Sequence, residues 1–305
     1  MMPLAVIDLG SNTAQMTVLL ADRRDPRRLR VLEELQLITG LGRGRGDDGS
    51  LSEVGRRGAL HALAHFSRRL DALGVAPSAV RGATTSAVRE APNGRSFLED
   101  ATTRTGIDLD VVSGDEEARL TTLAQARSFP DRLPFVVADI GGGSTEVAFR
   151  ETRGTAWATS MPVGSLKLAA AHGDDVVALD AAVARALEEL PRVRGADALI
   201  VAAGTATTSL QVVEGLELWD PDRIHGRVLG RPALAAARLR LAEMDPAARR
   251  TSVPGLLPGR ADAIVAGMTL LLGLMDWGGT DHVIVSDRGV RFGLLWEAWP
   301  AATVA

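Results

Sequence analysis

The chain of 305 residues contains no cysteine and no tyrosine, only six phenylalanines and five tryptophans, and a single lysine, Lys167. Without cysteine there are no disulfides, no thiolate nucleophile and no Cys-ligated zinc or iron–sulfur centre. The longest apolar segment, Ala263 to Met275, is too short and too interrupted by glycine to span a bilayer. The N-terminus runs straight into a strand-like segment, Leu4 to Leu9, without the basic region and apolar core of a signal sequence. A net charge of −4 gives no bulk attraction for nucleic acid or an anionic membrane. These absences lead us to expect a cytoplasmic protein with no nucleic-acid and no membrane partner. The use of arginine for nearly all 34 basic positions is explained by genomic base composition, so arginine richness is not itself a sign of phosphate binding.

What is present suffices for two medium-sized cores, at 46% hydrophobic residues. The chain is organised around residues 136–146. An apolar run from Phe135 to Ala138 reads as a buried strand and ends in Asp139. Gly141, Gly142, Gly143, Ser144, Thr145 and Glu146 follow, and Val147-Ala148-Phe149 leaves as a second strand. Three glycines exceed what a tight hairpin requires. Bare glycine backbone lets N–H groups converge on an anion, and the two hydroxyls can donate to it. Asp139 and Glu146 beside such a cradle make sense if a divalent metal or an activated water lies between them and the anion.

Residues 4–20 repeat the design, with a strand ending in Asp8, a turn of Gly10, Ser11 and Asn12, and a second strand leaving. The two aspartates are about 130 residues apart, which suggests an internally duplicated α/β chain with one phosphate-facing loop in each half. A turn over Asp22 to Arg28 leads to a strand over Leu29 to Leu37. Residues 40–49 form a Gly/Arg loop bearing Arg43 and Arg45, and Ser50 or Ser52 caps a long helix ending at Gly74. A short strand over Val80 to Ala83 runs into hydroxyls at residues 84–86 and into Arg89, a plausible oxyanion corner. After a helix over Ser96 to Thr105, a strand is expected over Ile107 to Val112, then Asp115, Glu116 and Glu117 in a first helical turn. In the second half we expect a strand over Ala156 to Met161, a helix over Asp180 to Leu190 and a strand over Ala198 to Ala202. That last strand feeds a small-residue turn at Gly204 and Thr205, suited to close approach by a phosphate or ribose. A helix over Leu234 to Leu241, a loop and helix start over Gly255 to Asp262, a strand at Val283 to Val285 and a terminal helix with Trp296 and Trp299 complete the chain.

In this order the pieces resemble the exopolyphosphatase/guanosine pentaphosphate phosphatase family, part of the actin-like ATPase, sugar kinase and Hsp70 superfamily. The resemblance is carried by seven motifs across nearly the whole chain: residues 7–12, 85–91, 112–120, 139–146, 204–207, 257–262 and 285–289. Three positions depart from the pattern. Ala14 and Gln15 replace an aromatic–basic pair, Ala203 stands where a glycine is usual, and Lys167 where arginine is frequent. The length is similar to that of the short, two-domain class. The resemblance implies two ribonuclease-H-like (actin-like ATPase) domains with the active site in the cleft between them. We expect an N-terminal domain over 1–128 and a C-terminal domain over 129–305, the last helix packing back on the first.

By the same resemblance the chain is a phosphoanhydride hydrolase of exopolyphosphatase type, with Glu117, the second glutamate of Glu-Glu-Ala, as the catalytic base. The other roles follow from residue chemistry. Gly10 to Asn12, Gly141 to Thr145, and Gly204 with Thr205 suit phosphate oxygens. Asp139 and Glu146, with Asp8, suit Mg2+ (or Mn2+), and the Arg89 fork suits outer phosphate oxygens. Inorganic polyphosphate is the expected substrate, and guanosine pentaphosphate the alternative. A guanine would want a stacking aromatic, and none lies inside the motifs. A polyphosphate tail needs only cations, and Arg43, Arg45, Arg89, Lys167, Arg260 and Arg288 lie on or beside the loops. A homodimer is expected. A kinase of the same fold and a non-catalytic polyphosphate or guanosine pentaphosphate binder are the competing classes; phosphate release without an acceptor separates hydrolysis from both.

Overall fold

The computed structural model describes residues 2–21, 28–299 and 303–304. The turn expected over Asp22 to Arg28 lies outside them, apart from Arg28, which opens a strand. The chain divides into two compact units, Met1–Ala124 with Val290–Ala305, and Gln125–Gly289.

In the first unit β1 (Met2–Leu9), β2 (Thr13–Ala21) and β3 (Arg28–Ile38) form an antiparallel meander. Then come α1 (Glu53–Ala72), β4 (Val80–Thr84), α2 (Ser86–Arg89), α3 (Gly94–Thr105), β5 (Asp110–Val111) and α4 (Gly114–Ser128). Ser52 caps α1, its hydroxyl accepting from the Gly55 N–H, so the nearer of the two candidate serines takes the role. β4 adds to β1 in parallel and β5 to β4. Successive residues of β1 face opposite sides of the sheet, and both sides are core. Ala5, Ile7 and Leu9 pack with α1 and α3 residues such as Phe66 and Phe97, while Leu4 and Val6 pack on the other side. A strand buried on both faces reads as one apolar run, as this one does.

The second unit contains β6 (Phe135–Ile140), β7 (Thr145–Glu151), β8 (Gly154–Met161), α5 (Ser165–His172), α6 (Val176–Leu187), β9 (Ala198–Ala202) and α7 (Ala203–Glu214). β10 (Val228–Gly230), α8 (Arg231–Ala242), α9 (Pro246–Ser252), α10 (Ile264–Gly278) and β11 (His282–Val285) follow. The chain then re-enters the first unit with α11 (Val290–Ala298) and β12 (Thr303–Val304). Phe292, Leu295 and Trp296 of α11 cover the Leu4/Val6 face, and β12 pairs with β3. Among the described residues no helix is long and apolar enough to cross a membrane.

The sheet orders are β12-β3-β2-β1-β4-β5 and β10-β11-β9-β6-β7-β8. Five strands of each therefore share one pattern, an antiparallel meander extended by two parallel strands, with β6, β7, β8, β9 and β11 standing for β1 to β5. The duplication holds at the level of single hydrogen bonds. Leu9 pairs with Ala14 as Ile140 pairs with Thr145. The intervening turns are closed by Gly10 N–H to Thr13 O at 2.9 Å and Gly141 N–H to Ser144 O at 3.0 Å.

Some elements differ from the sequence reading. Only Asp110–Val111 of the strand expected over Ile107 to Val112 enter a ladder. Ile107 and Leu109 are buried in the core beside α1, so the apolar alternation marks packing; a short edge strand also offers little to a foreign chain. α6 begins at Val176, not at Asp180, because Asp175 caps it by accepting from the Val177 and Ala178 N–H groups. The helix expected to start near Asp262 begins at Ile264, after a single 3-10 turn over Pro258–Arg260.

Candidate functional site

In the first unit the turn after β1 is braced from behind. The Asn12 carbonyl accepts from Thr39 and Gly40 N–H at 2.9 and 3.2 Å, and the Ser11 carbonyl accepts from Gly42 N–H at 2.7 Å. Gly42 has no room for a side chain without pressing on Ser11, 3.2 Å from a would-be Cβ. The carbonyls of the turn are thereby held on the Gly/Arg loop. Ser11 is buried and shares a hydrogen bond with Ser86 at the start of α2, Oγ to Oγ 3.0 Å. Thr84 donates to the Leu9 carbonyl at 2.8 Å, fixing the end of β4 beside the same turn.

Arg89 and Glu117 meet here. The Arg89 guanidinium donates to the Val112 carbonyl at 2.8 Å and lies 3.5 Å from a Glu117 carboxylate oxygen. Glu117 is only 6% exposed, although it sits in the first turn of α4. Its neighbour Glu116 points elsewhere and is paired with Arg119 at 2.6 Å; that hydrogen bond holds the Glu116 carboxyl below its ordinary pKa. The two adjacent glutamates are thus a buried one beside an arginine and an exposed one on a surface ion pair. Asp8 is half-buried near the end of β1, and its cross-strand partner is Gln15. Gln15, at the position lacking the usual basic residue, donates to Gln36 on β3 at 2.8 Å. Arg43 donates to the Asn12 side chain at 3.2 Å, and Arg45 to the Ala87 carbonyl at 2.5 Å.

In the second unit the glycine turn is braced by a helix start. Gly141 O accepts from Ser165 N–H at 3.0 Å, and Gly142 O from Leu166 and Lys167 N–H at 2.9 and 3.3 Å. The first-turn donors of α5 are thereby satisfied by the turn's carbonyls. Gly164 permits the contact, since a Cβ there would lie 2.6 Å from the Gly142 carbonyl. Ser144 and Thr145 are buried. The Thr145 hydroxyl donates to the Val163 carbonyl at 2.7 Å, so its proton is engaged inside the fold.

Asp139 and Glu146 are direct cross-strand partners in the β6/β7 ladder and are 5% and 2% exposed. Directly opposed residues of a ladder share a face with Cβ atoms about 4.5–5.5 Å apart, and like charges so placed repel. Ser160 donates to one Glu146 oxygen at 2.7 Å. Two buried carboxylates on one face suit a small divalent cation that keeps several of its waters. Among the described residues no group of three or more His, Cys, Asp or Glu could hold a metal. The first unit's counterpart pair, Asp8 and Gln15, has one carboxylate fewer.

At the start of α7 the structure corrects the reading of Arg260 as a cation beside a polyphosphate path. Arg260 is 7% exposed; its guanidinium donates to the Gly204 carbonyl and to Thr208 Oγ1. Burial pulls its pKa down to about 10, so it stays charged at neutral pH and braces α7 from within. Gly204 and Thr205 lie in the first turn of α7, Thr205 buried. Ala203 before them has φ +69°, the only positive φ on a non-glycine among the described residues. A left-handed L-residue is strained by roughly 1–2 kcal/mol, while a glycine gives back about 0.4–1 kcal/mol through the unfolded state. Ala203→Gly should therefore raise stability by about 0.5–1 kcal/mol, read as a higher urea midpoint at unchanged slope; a lower midpoint would contradict the strain argument. Trp157 packs edge-on against Trp277 at 6.2 Å, as a sheet residue.

Comparison with known proteins adds the following. A family model described as the Ppx/GppA phosphatase family matches residues 20–302. The chain is 25% identical to a bifunctional 3-dehydroquinate synthase/phosphatase of Fusobacterium nucleatum, over 96% of this chain and 46% of that protein. It is also 25% identical to a guanosine-5'-triphosphate,3'-diphosphate pyrophosphatase of Vibrio atlanticus, over 96% of this chain and 58% of that one. The chain thus spans about half the length of these curated relatives. Among solved structures, the Ppx/GppA family member of Aquifex aeolicus is 26% identical, with a TM-score of 0.79 and 98% of each chain covered. The Ppx/GppA structures that it matches have two actin-like domains.

Proposed function

The chain belongs to the Ppx/GppA phosphatase family, and on that footing we propose that it hydrolyses the terminal phosphoanhydride of inorganic polyphosphate, releasing orthophosphate. The observation that supports this most is the pairing of two turns with braced carbonyls, each at the end of a strand that carries an aspartate. Such turns suit the oxygens of a phosphate chain, which need convergent donors in fixed positions. Arg89 orients an outer phosphate oxygen by its fork, and Glu117 accepts the proton of the attacking water. Asp139 and Glu146, with Asp8, would hold Mg2+ or Mn2+, which would supply neutralisation of the phosphate charge.

Polyphosphate is preferred over guanosine pentaphosphate on two grounds. Neither turn contains an aromatic residue, whereas Arg43 and Arg45 belong to the loop that braces the first turn. Many weak, screened contacts to a flexible polyanion make affinity fall with salt and rise with chain length. The similarity to a relative named for the guanosine substrate keeps that reading as the alternative. Competition kinetics in Mg2+ between long polyphosphate, short polyphosphate and guanosine pentaphosphate decide it. We expect the highest kcat/KM for long polyphosphate. A higher value for guanosine pentaphosphate, without chain-length dependence among polyphosphates, would overturn the substrate choice. No phosphate release from any of them would leave the binder.

A further inference from the structure

The hydrolytic reading leaves one buried acid of the second unit unused, Asp287, whose side chain is 7% exposed. It stands in the turn Ser286–Gly289 that follows β11. The duplicated sheet gives this place meaning, because β11 corresponds to β5, and it is the segment after β5 that delivers Glu117. The turn is level with the carboxylate pair. Asp139 is in register with Ala202 of β9, Val201 is in register with Val285, and the Ser286 N–H donates to the Val201 carbonyl at 2.9 Å. At its far end a Cβ on Gly289 would sit 3.4 Å from Asp139 Oδ2. Two further bonds hold the turn: Gln125 Nε2 donates to the Arg288 carbonyl at 2.5 Å, and the Arg288 N–H donates to Ser286 Oγ at 3.2 Å.

His225 supports this turn from the side. Its Nδ1 lies 2.8 Å from Asp287 Oδ1, an ion-pair distance, though not aligned as a straight hydrogen bond. The ring stacks on Phe129, centroids 4.9 Å apart and planes 20° from parallel. The two residues after it are fixed to β11, where the Gly226 N–H donates to Val285 O and the Val285 N–H to Arg227 O, both at 2.8 Å, and its own N–H donates to Pro221 O at 2.8 Å. A histidine stacked on one face and presenting Nδ1 to a buried carboxylate resembles the outer partners that orient metal-holding groups.

We propose that His225 is a positioning residue, which through Asp287 sets the Ser286–Gly289 turn against Asp139 and so fixes the geometry of the Asp139–Glu146 pair toward a divalent metal. Asp287 acts from outside the pair, through the turn, and not as a further ligand. The inference rests on the metal role proposed for that pair.

The test separates the two functions of the histidine on the purified full chain, with Mn2+ binding followed by electron paramagnetic resonance in the absence of substrate. His225→Phe keeps a ring on Phe129 and removes Nδ1. His225→Asn loses the stack and keeps an N–H donor near Asp287. Loss of an outer partner typically weakens metal affinity about 10- to 100-fold, so we expect that loss in His225→Phe and about a tenfold loss in the isosteric Asp287→Asn. His225→Asn should stay within about threefold of the parent. Wild-type Mn2+ affinity in both His225→Phe and Asp287→Asn overturns the inference, as does equal loss in His225→Phe and His225→Asn, which would assign the effect to packing. Asp139→Asn is the reference arm. If it weakens Mn2+ binding while His225→Phe and Asp287→Asn do not, the positioning role alone falls. If Mn2+ binding is unchanged in Asp139→Asn as well, the metal role of the pair fails and the inference fails with it.

Discussion

Replacing Glu117 by glutamine should lower turnover roughly 100- to 10,000-fold, the usual worth of general-base catalysis. The substitution keeps size and an acceptor for Arg89, which lies 3.5 Å away and is held independently by the Val112 carbonyl. Fold and substrate affinity should therefore survive. Removing a negative charge near a polyanion should if anything tighten binding, so the loss should appear in kcat and not in KM. Glu116→Gln supplies the contrast. Glu116 is on the surface, paired with Arg119, and exposed ion pairs of this kind contribute about 0.2–1 kcal/mol. Its glutamine variant should turn over within about threefold of the parent, since neither its chain direction nor its partner faces Arg89. Equal losses in the two variants would show that Glu117 is not the base, or that both acids act on a common group. The measurement is phosphate release under saturating and limiting polyphosphate, with a thermal melt to exclude unfolding.

That contrast was partly legible in the sequence. A first helical turn bearing Asp115, Glu116 and Glu117 reads as a set of dipole-favoured caps, and nothing in composition says which of them is buried. Helix geometry decides it, by directing Glu117 inward beside Arg89. The hairpin turns at Gly10 and Gly141 were readable because their chemistry is local: a strand, bare backbone, hydroxyls, a strand. The same holds for the Ser52 cap of α1. Long-range pairings were not readable. His225 and Asp287 lie on different segments, and only the register of β11 with β9 brings them level with Asp139. α9 carries a local signal, Asp245 as N-cap before Pro246 in the first turn, but its few apolar residues give no helical periodicity to read it by. Arginine was the least informative residue. Spread over a chain with one lysine, it marks a loop at Arg43, a helix brace at Arg260 and, at Arg249, the most buried charge of the second unit.

Arg249→Met should cost the second unit about 3–5 kcal/mol, the range for breaking a buried charge network by removing one member. Arg249 is 0% exposed, and each guanidinium nitrogen is engaged. Nε donates to the Leu241 carbonyl at 2.6 Å. One terminal nitrogen donates to Asp174 at 3.1 Å and to the Ala261 carbonyl at 3.2 Å. The other donates to Asp174 at 2.6 Å and to the Met244 carbonyl at 2.9 Å. Leu241 lies in the last turn of α8 and Met244 just past its end, where a cation is favoured by the helix dipole; the Leu241 carbonyl also accepts from the Met244 N–H at 3.1 Å. Methionine fills the space but leaves three carbonyls without this donor. Asp174, 26% exposed, can turn to water once the guanidinium is gone, but Asp174→Asn takes the counter-charge from a fully buried arginine and should itself cost about 3–5 kcal/mol. Adding Asp174→Asn to Arg249→Met should then recover little, because most of the loss lies at the carbonyls. Arg249→Lys should be nearly as damaging as methionine: one ammonium cannot meet a carboxylate fork and carbonyls on several sides at once. Urea unfolding monitored by tryptophan fluorescence reads the second unit through Trp157 and Trp277, which pack against its core. An Arg249→Met midpoint within about 1 kcal/mol of the parent, or a lysine variant as stable as the parent, would show that the network is replaceable by water or by a simple positive charge.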